Sequence, residues 1–117
     1  MTHEEKKVAK IVEELTMYFF AIGAADMESG IKKEGNRVTI TFEADYQPDY
    51  ENRIVSLEKY LNQPKNEGIE DIYWELAGSG DPGETSQLLL IGMMIDRAEI
   101  VHGTGKVKLI LQKELLD

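Results

Sequence analysis

Residues able to do chemistry are few in this sequence, and a glycine-rich segment is the most suggestive of them. Gly78-Ser79-Gly80-Asp81-Pro82-Gly83 has the letters of the phosphate-cradling fingerprint G-x-G-x-x-G. That fingerprint functions between a strand and a helix of a parallel βαβ unit. Here Pro82 lies inside the segment, and the strand patterns that follow it form a hairpin. The segment is therefore interpreted as a loop.

Histidines and carboxylates are the other groups with chemical potential. His3 and His102 are the only histidines, and they lack the spacing of a metal-binding pair. The absence of cysteine excludes disulfides, thiol catalysis and cysteine-based zinc sites. The 22 carboxylates show no EF-hand spacing and are interpreted as mostly solvated surface. No metal site is therefore expected.

A long amphipathic helix is predicted at the start of the chain, from about Thr2 to Ile22. Thr2 and Glu5 fit a capping box, and Gly23 is a plausible stop. Near its end, Met17 and Phe20 add more apolar surface than one face can hide. The apolar residues have the spacing of one helical face: Val8, Ile11, Val12, Leu15, Tyr18, Phe19 and Ile22.

Two β-hairpins are predicted from strict alternation of apolar and polar residues. The first covers about Met27–Lys33 and Arg37–Ala44, with turn chemistry at Gly35 and Asn36. The second covers about Ala98–His102 and Lys106–Gln112, around the turn Gly103-Thr104-Gly105.

Lysines in the last hairpin have a separate interpretation. Lys106, Lys108 and Lys113 are read as a basic stripe on an edge strand. Lysine on an edge strand commonly blocks unwanted pairing with another chain.

Helical segments are predicted between the hairpins. Residues 45–52 are expected to be a polar loop broken by Pro48, followed by a helix that Pro64 ends. A short helix is favoured around Ile69–Leu76, and a strand at Ile72-Tyr73-Trp74 is the alternative. A further helix, from about Glu84 to Ile95, is apolar nearly all round, which places it in the core or under a partner.

This order of elements predicts a single α+β domain. Its two hairpins should form one sheet, mixed or antiparallel, with helices packed on one face. We expect one set of strand residues to be buried: Val38, Ile40, Phe42, Val107, Leu109 and Leu111. Their partners on the helices should be Ile11, Leu15, Phe19, Leu88 and Ile91.

Composition limits the function classes. The 117 residues are 42% hydrophobic, which is typical of a folded globular domain. The formal charge of −9 repels phosphate backbones and anionic lipid, so neither a nucleic-acid nor a membrane partner is expected. No apolar run reaches the length of a membrane span, and the charged N-terminus lacks a signal-peptide pattern. A cytoplasmic location is expected.

The pattern of elements resembles a known family. The segment 11–23, followed by Gly35-Asn36-Arg37-Val38-Thr39-Ile40, looks like the first part of the Bergerat (histidine-kinase-like, GHKL) ATPase domain. The segments 83–100 and 103–107 are similar to that family's last helix and closing hairpin. The nearest resemblance is to the small anti-sigma-factor kinases. It implies an ATP site with magnesium, formed by the first helix, the segment after the central strand and the turn before the last helix.

The residues at these positions depart from the family's motifs. Glu14 matches the glutamate of the first helix, but Tyr18 stands where an asparagine holds magnesium. Asp45 matches the adenine-reading aspartate, but the glycines that follow that residue are missing. Gly83 matches the phosphate-cradling turn, where Thr85 and Gln87 replace other glycines. The resemblance therefore implies a degenerate ATP site, in which Glu14 is interpreted as a surface or structural carboxylate rather than a general base.

Three functional hypotheses follow. The first is a non-catalytic domain of the ATPase-like fold that acts through protein contacts, with a protein partner or a second copy of itself and no cofactor. The second is a working ATP-binding domain with divergent motifs. The third is an unrelated α+β domain that binds a small ligand. Met93 and Met94 of the last helix are expected to be covered, because large exposed apolar patches are rare on monomers. Either a partner or the short helix around Ile72–Leu76 could provide that cover.

Overall fold

The computed structural model describes residues 1–62 and 84–115. The order of elements is α1 (His3–Ala21), β1 (Met27–Glu34), β2 (Arg37–Asp45), a 3₁₀ helix (Pro48–Tyr50), α2 (Glu51–Val55), α3 (Leu57–Leu61), α4 (Glu84–Met94), β3 (Arg97–Gly103) and β4 (Lys106–Glu114). The segment predicted around Ile69–Leu76 and the glycine-rich segment, with candidate Gly83, lie outside the described residues.

The two hairpins join into one antiparallel sheet with strand order β1-β2-β4-β3. Gly35 closes the first hairpin with a φ of +61°, and Thr104 and Gly105 close the second with φ of +50° and +77°. Such positive φ values match the right-handed twist of the flanking strands. The predicted α+β class and the single sheet are confirmed.

One face of the sheet, the helix face, carries the core. The pairing of Ile40 with Leu111 and of Phe42 with Leu109 places these side chains on the same face. Phe42 stacks on Phe19 of α1, with ring centroids 5.4 Å apart. Every residue predicted to be buried in this core is buried, on the strands and on the helices alike.

The ends of α1 follow the predicted capping chemistry. The Thr2 hydroxyl accepts from the Glu5 N–H at 3.1 Å, and Glu5 Oε1 accepts from the Thr2 N–H at 2.8 Å. The Thr2 N–H and then the Lys33 ammonium lower the pKa of Glu5 to about 2. Gly23 follows the helix with a φ of +85°, a conformation that glycine adopts without strain. None of the helices in the described part of the chain is long and apolar enough to cross a membrane.

The prediction that Lys106, Lys108 and Lys113 form a basic stripe on an edge strand is wrong. Strand β4 lies inside the sheet, between β2 and β3, so it has no free edge. Side chains of a strand alternate between the two faces, and Lys113 is an odd number of residues from Lys106. It therefore projects onto the helix face, opposite to Lys106 and Lys108, and is 5% exposed. Its Nζ donates to the carbonyl of Met94 at 2.8 Å and lies 3.0 Å from Glu4 Oε2. This ammonium therefore ties the C-terminus of α4 and the first turn of α1 to the sheet.

The segment after β2 is more ordered than the polar loop predicted for it. Pro48 starts a 3₁₀ helix instead of breaking the chain, since its fixed φ suits a first helical position. The single helix predicted next is two short helices, α2 and α3, that meet at Ser56. The predicted apolar face is nevertheless buried at Ile54, Leu57 and Leu61.

Helices α3 and α4 meet at Gly92. A Cβ atom built there would lie 2.8 Å from the Tyr60 carbonyl oxygen and 3.3 Å from that of Leu61. Glycine at this position therefore allows the backbones of the two helices to approach each other closely.

We expect Gly92→Ala to lower the free energy of unfolding by about 1–3 kcal/mol, because the added methyl group overpacks against backbone atoms. This loss should occur although alanine is the better helix former. Chemical denaturation measures it. Gly103→Ala is the matched control, because a Cβ there meets nothing within 4 Å. Equal unfolding free energies for the two variants would contradict the close packing.

Candidate functional site

Glu14, the candidate catalytic carboxylate, lies on the inward side of α1. It is 6% exposed, and its Oε1 is 2.9 Å from the Lys10 ammonium, one helical turn earlier. The hydrogen bond and charge of Glu14 raise the pKa of Lys10. The carboxylate is therefore already neutralised by a partner from its own helix.

Tyr18 is four residues further along the same helix, where the resemblance would require a magnesium ligand. Its side chain is 1% exposed and belongs to the core. The ring meets that of Phe19 edge to face, with centroids 5.1 Å apart. This residue fills apolar space, which a ligand for a hard cation does not do.

Asp45, the candidate adenine-reading residue, supports the backbone of the turn between α1 and β1. Its neighbour Ala44 faces the core, so Asp45 projects from the other side of the sheet, here called the open face. Its Oδ1 accepts from the backbone N–H groups of Asp26 at 3.0 Å and Ala25 at 2.8 Å. These two bonds, with help from the charge of Lys106, lower the pKa of Asp45.

The structure therefore does not bring the described candidates together. Glu14 and Tyr18 share the inward side of α1, whereas Asp45 lies on the open face of the sheet. Candidate Gly83 lies outside the described residues.

A shallow groove on the open face was not predicted from the sequence. It has a volume of about 540 Å³ and is lined by residues of all four strands and the turn before β1, among them Asp26, Glu28, Glu43, Val101, Lys106 and Lys108. Opposite charges pair across neighbouring strands there, with Lys108 Nζ 3.5 Å from Glu43 Oε1. Strand alternation indicates which residues face solvent, but the strand order that assembles them depends on long-range pairing.

A polar cluster at one end of the sheet includes His102. The hydroxyl of buried Tyr46 donates to Glu51 Oε2 at 2.5 Å, and that bond raises the pKa of Tyr46. His102 Nδ1 lies 3.6 Å from the other oxygen, Glu51 Oε1. The cluster connects α2 to the end of β3. Among residues 1–62 and 84–115, no group of three or more histidines and carboxylates is arranged to hold a metal ion.

No protein-family model matches the chain, and no curated protein matches it either. The resemblance to the Bergerat ATPase domain therefore stays a prediction from the sequence pattern.

We expect Asp45→Asn to lower the melting temperature at neutral pH, because a neutral amide is a weaker acceptor for the two N–H groups. The pKa of Asp45 is lowered from 3.8 in the folded chain. Its ionised form therefore contributes stability above about pH 4, and that contribution is lost as the pH falls through the lowered pKa. The difference between variant and wild type should shrink between pH 7 and pH 3 in thermal denaturation.

The matched control is Asp49→Asn, which neutralises an exposed carboxylate in the 3₁₀ helix. It should melt close to the wild type at neutral pH. Asp45→Asn melting with the wild type at every pH would show that Asp45 does not support the turn.

Proposed function

We propose that this chain is a non-catalytic domain with an ATPase-like fold that acts through protein contacts, in a regulatory role and without a nucleotide cofactor. The order of elements supports the fold: a long first helix, a hairpin, two short helices, an apolar helix and a closing hairpin. Fold alone does not carry function, so the proposal depends on the residues at the positions that would contact ATP.

The observation that carries the proposal is that all three described positions have other structural roles. Glu14 forms an ion pair with Lys10, and Tyr18 is packed in the core. Asp45 accepts hydrogen bonds from two backbone N–H groups. A nucleotide would have to break these interactions before it gained any of its own. An ATP site that works needs its polar groups oriented toward the ligand before it binds.

Two surfaces support a role in protein contacts. Every open-face residue of β2 and β4 is half-buried or exposed, so the outer side of the sheet is accessible. Met17 and Phe20, three residues apart on α1, are 40% and 63% exposed. By contrast, Met93 and Met94 are half-buried within one chain, so they give less reason for a partner than the sequence predicts.

The groove on the open face favours a second candidate function, the binding of a small polar ligand. Its volume lies within the range of ligand pockets. Its lining is rich in carboxylates and lysines, which suits a ligand with both charges.

Titration with ATP and with ADP, each with magnesium, tests the proposal. We expect no heat of binding in calorimetry and no shift of the melting temperature, because the described positions offer no oriented ligand groups. Micromolar affinity of the wild-type chain for either nucleotide would contradict the proposal and favour a working ATP-binding domain.

A further inference from the structure

Strand β1 is an edge strand that the rest of the described chain, residues 1–26, 35–62 and 84–115, leaves uncovered. Seven of its eight residues are exposed, including Ile31 at 57%. It contains no proline and pairs with β2 without interruption from Met27 to Glu34. Such an edge is a template on which another strand can pair. Its lysines disfavour strands that bring no opposite charge, and Lys33 is already paired with Glu5, at 3.1 Å.

The hydrogen-bonding groups available on that edge can be assigned from the register. The two-residue turn at Gly35 makes Glu34 and Arg37 a hydrogen-bonded pair, and the Asp45 N–H still donates to the Asp26 carbonyl at the far end. Even-numbered residues of β1 therefore bond to β2. The backbone N–H and C=O groups that point outward belong to Met27, Ser29, Ile31 and Lys33.

The opposite edge of the sheet, strand β3, has outward backbone groups that are already hydrogen-bonded within the chain. At β3, the outward N–H and C=O of Ala98 are both bonded to the side-chain amide of Asn62, at 3.0 and 3.1 Å. That amide occupies the place where a neighbouring strand would bond. Among residues 1–62 and 84–115, nothing comparable bonds to the outward groups of β1.

We infer that β1 pairs antiparallel with β1 of a second copy of this chain, about a two-fold axis at Gly30. This inference rests on the proposed role in protein contacts and names the partner and the surface. The two sheets would join into one of eight strands, with all helices on the same side. The contact is isologous, because each copy presents the same strand.

Charge complementarity selects both the partner and the register. With the axis at Gly30, Glu28 of each copy lies opposite Lys32 of the other, so two opposite-charge pairs form on the open face. These are non-hydrogen-bonded positions, at which side chains approach most closely. If the register moves by two residues in one direction, Glu28 lies opposite Glu34, which is a like-charge pair. If it moves by two residues in the other direction, the ladder is shorter and Glu28 no longer lies opposite Lys32.

Small side chains at the centre also favour this arrangement. Gly30 meets Gly30 at the axis, and Ile31 lies opposite Ser29 of the second copy on the helix face. In the isolated chain, Lys32 Nζ is 3.0 Å from Glu34 Oε1, and both side chains are at least 70% exposed. An ion pair this exposed is weak, so it can exchange for the contact with Glu28.

Sedimentation velocity of the full chain, from micromolar to near-millimolar concentration, tests the inference. We expect a monomer–dimer equilibrium that Glu28→Lys weakens by about tenfold or more, because both pairs become repulsive. The double variant Glu28→Lys/Lys32→Glu restores opposite charges across the axis, so it should return to within about twofold of the wild type. Glu99→Lys makes the same charge change on the β3 edge and should leave the equilibrium unchanged.

A wild-type chain that stays monomeric at every concentration would overturn the inference. So would dimerisation that Glu28→Lys leaves intact, or that the double variant fails to restore. These outcomes are separate from nucleotide titration. A monomer that binds no nucleotide refutes the self-pairing alone, whereas micromolar nucleotide binding refutes the proposed function.

Discussion

In the part of the chain that the structure describes, the sheet is covered on one face only, and the rest of that structure depends on this asymmetry. A four-stranded antiparallel sheet with one apolar face must place every large core residue on that face, and α1 and α4 provide the cover. Phe19 on Phe42 forms the aromatic contact between the two layers. Lys113 connects both helices to the sheet, because its ammonium donates to the Met94 carbonyl and pairs with Glu4. Its burial is tolerated because the ammonium has a carbonyl and a carboxylate as partners.

The same asymmetry decides what the candidate site residues do. Tyr18 faces inward and is used to fill the core, and Glu14 beside it is paired with Lys10. Asp45 lies across the sheet, where its carboxylate supports the turn into β1. The described positions at which the resemblance implies nucleotide contacts therefore have structural roles, in the core, in an ion pair or in a turn.

Periodicity in the sequence predicts the sheet layer and the helix layer, but it does not predict the polar bonds that connect the elements. Alternation along Val107, Leu109 and Leu111 predicts their burial, and it also places Lys113 on the same face, a signal that the basic-stripe interpretation missed. The bond of Asn62 to Ala98 could not be predicted, because its partners are 36 residues apart and depend on how α3 packs. The resemblance assigns Asp45 to a ligand. Its sequence neighbours do not reveal the N–H groups from which its carboxylate accepts hydrogen bonds.

Self-pairing of β1, as proposed, would make the open edge of the sheet the surface at which two copies of this chain meet. Amide hydrogen exchange, followed residue by residue by NMR at several concentrations, tests it most directly. The Gly30 and Lys32 N–H groups, bonded to β2, should be protected at every concentration. With self-pairing, the outward N–H groups of Ser29 and Ile31 should exchange fast in dilute solution and become protected as concentration rises. Fast exchange of both groups at all concentrations would contradict it.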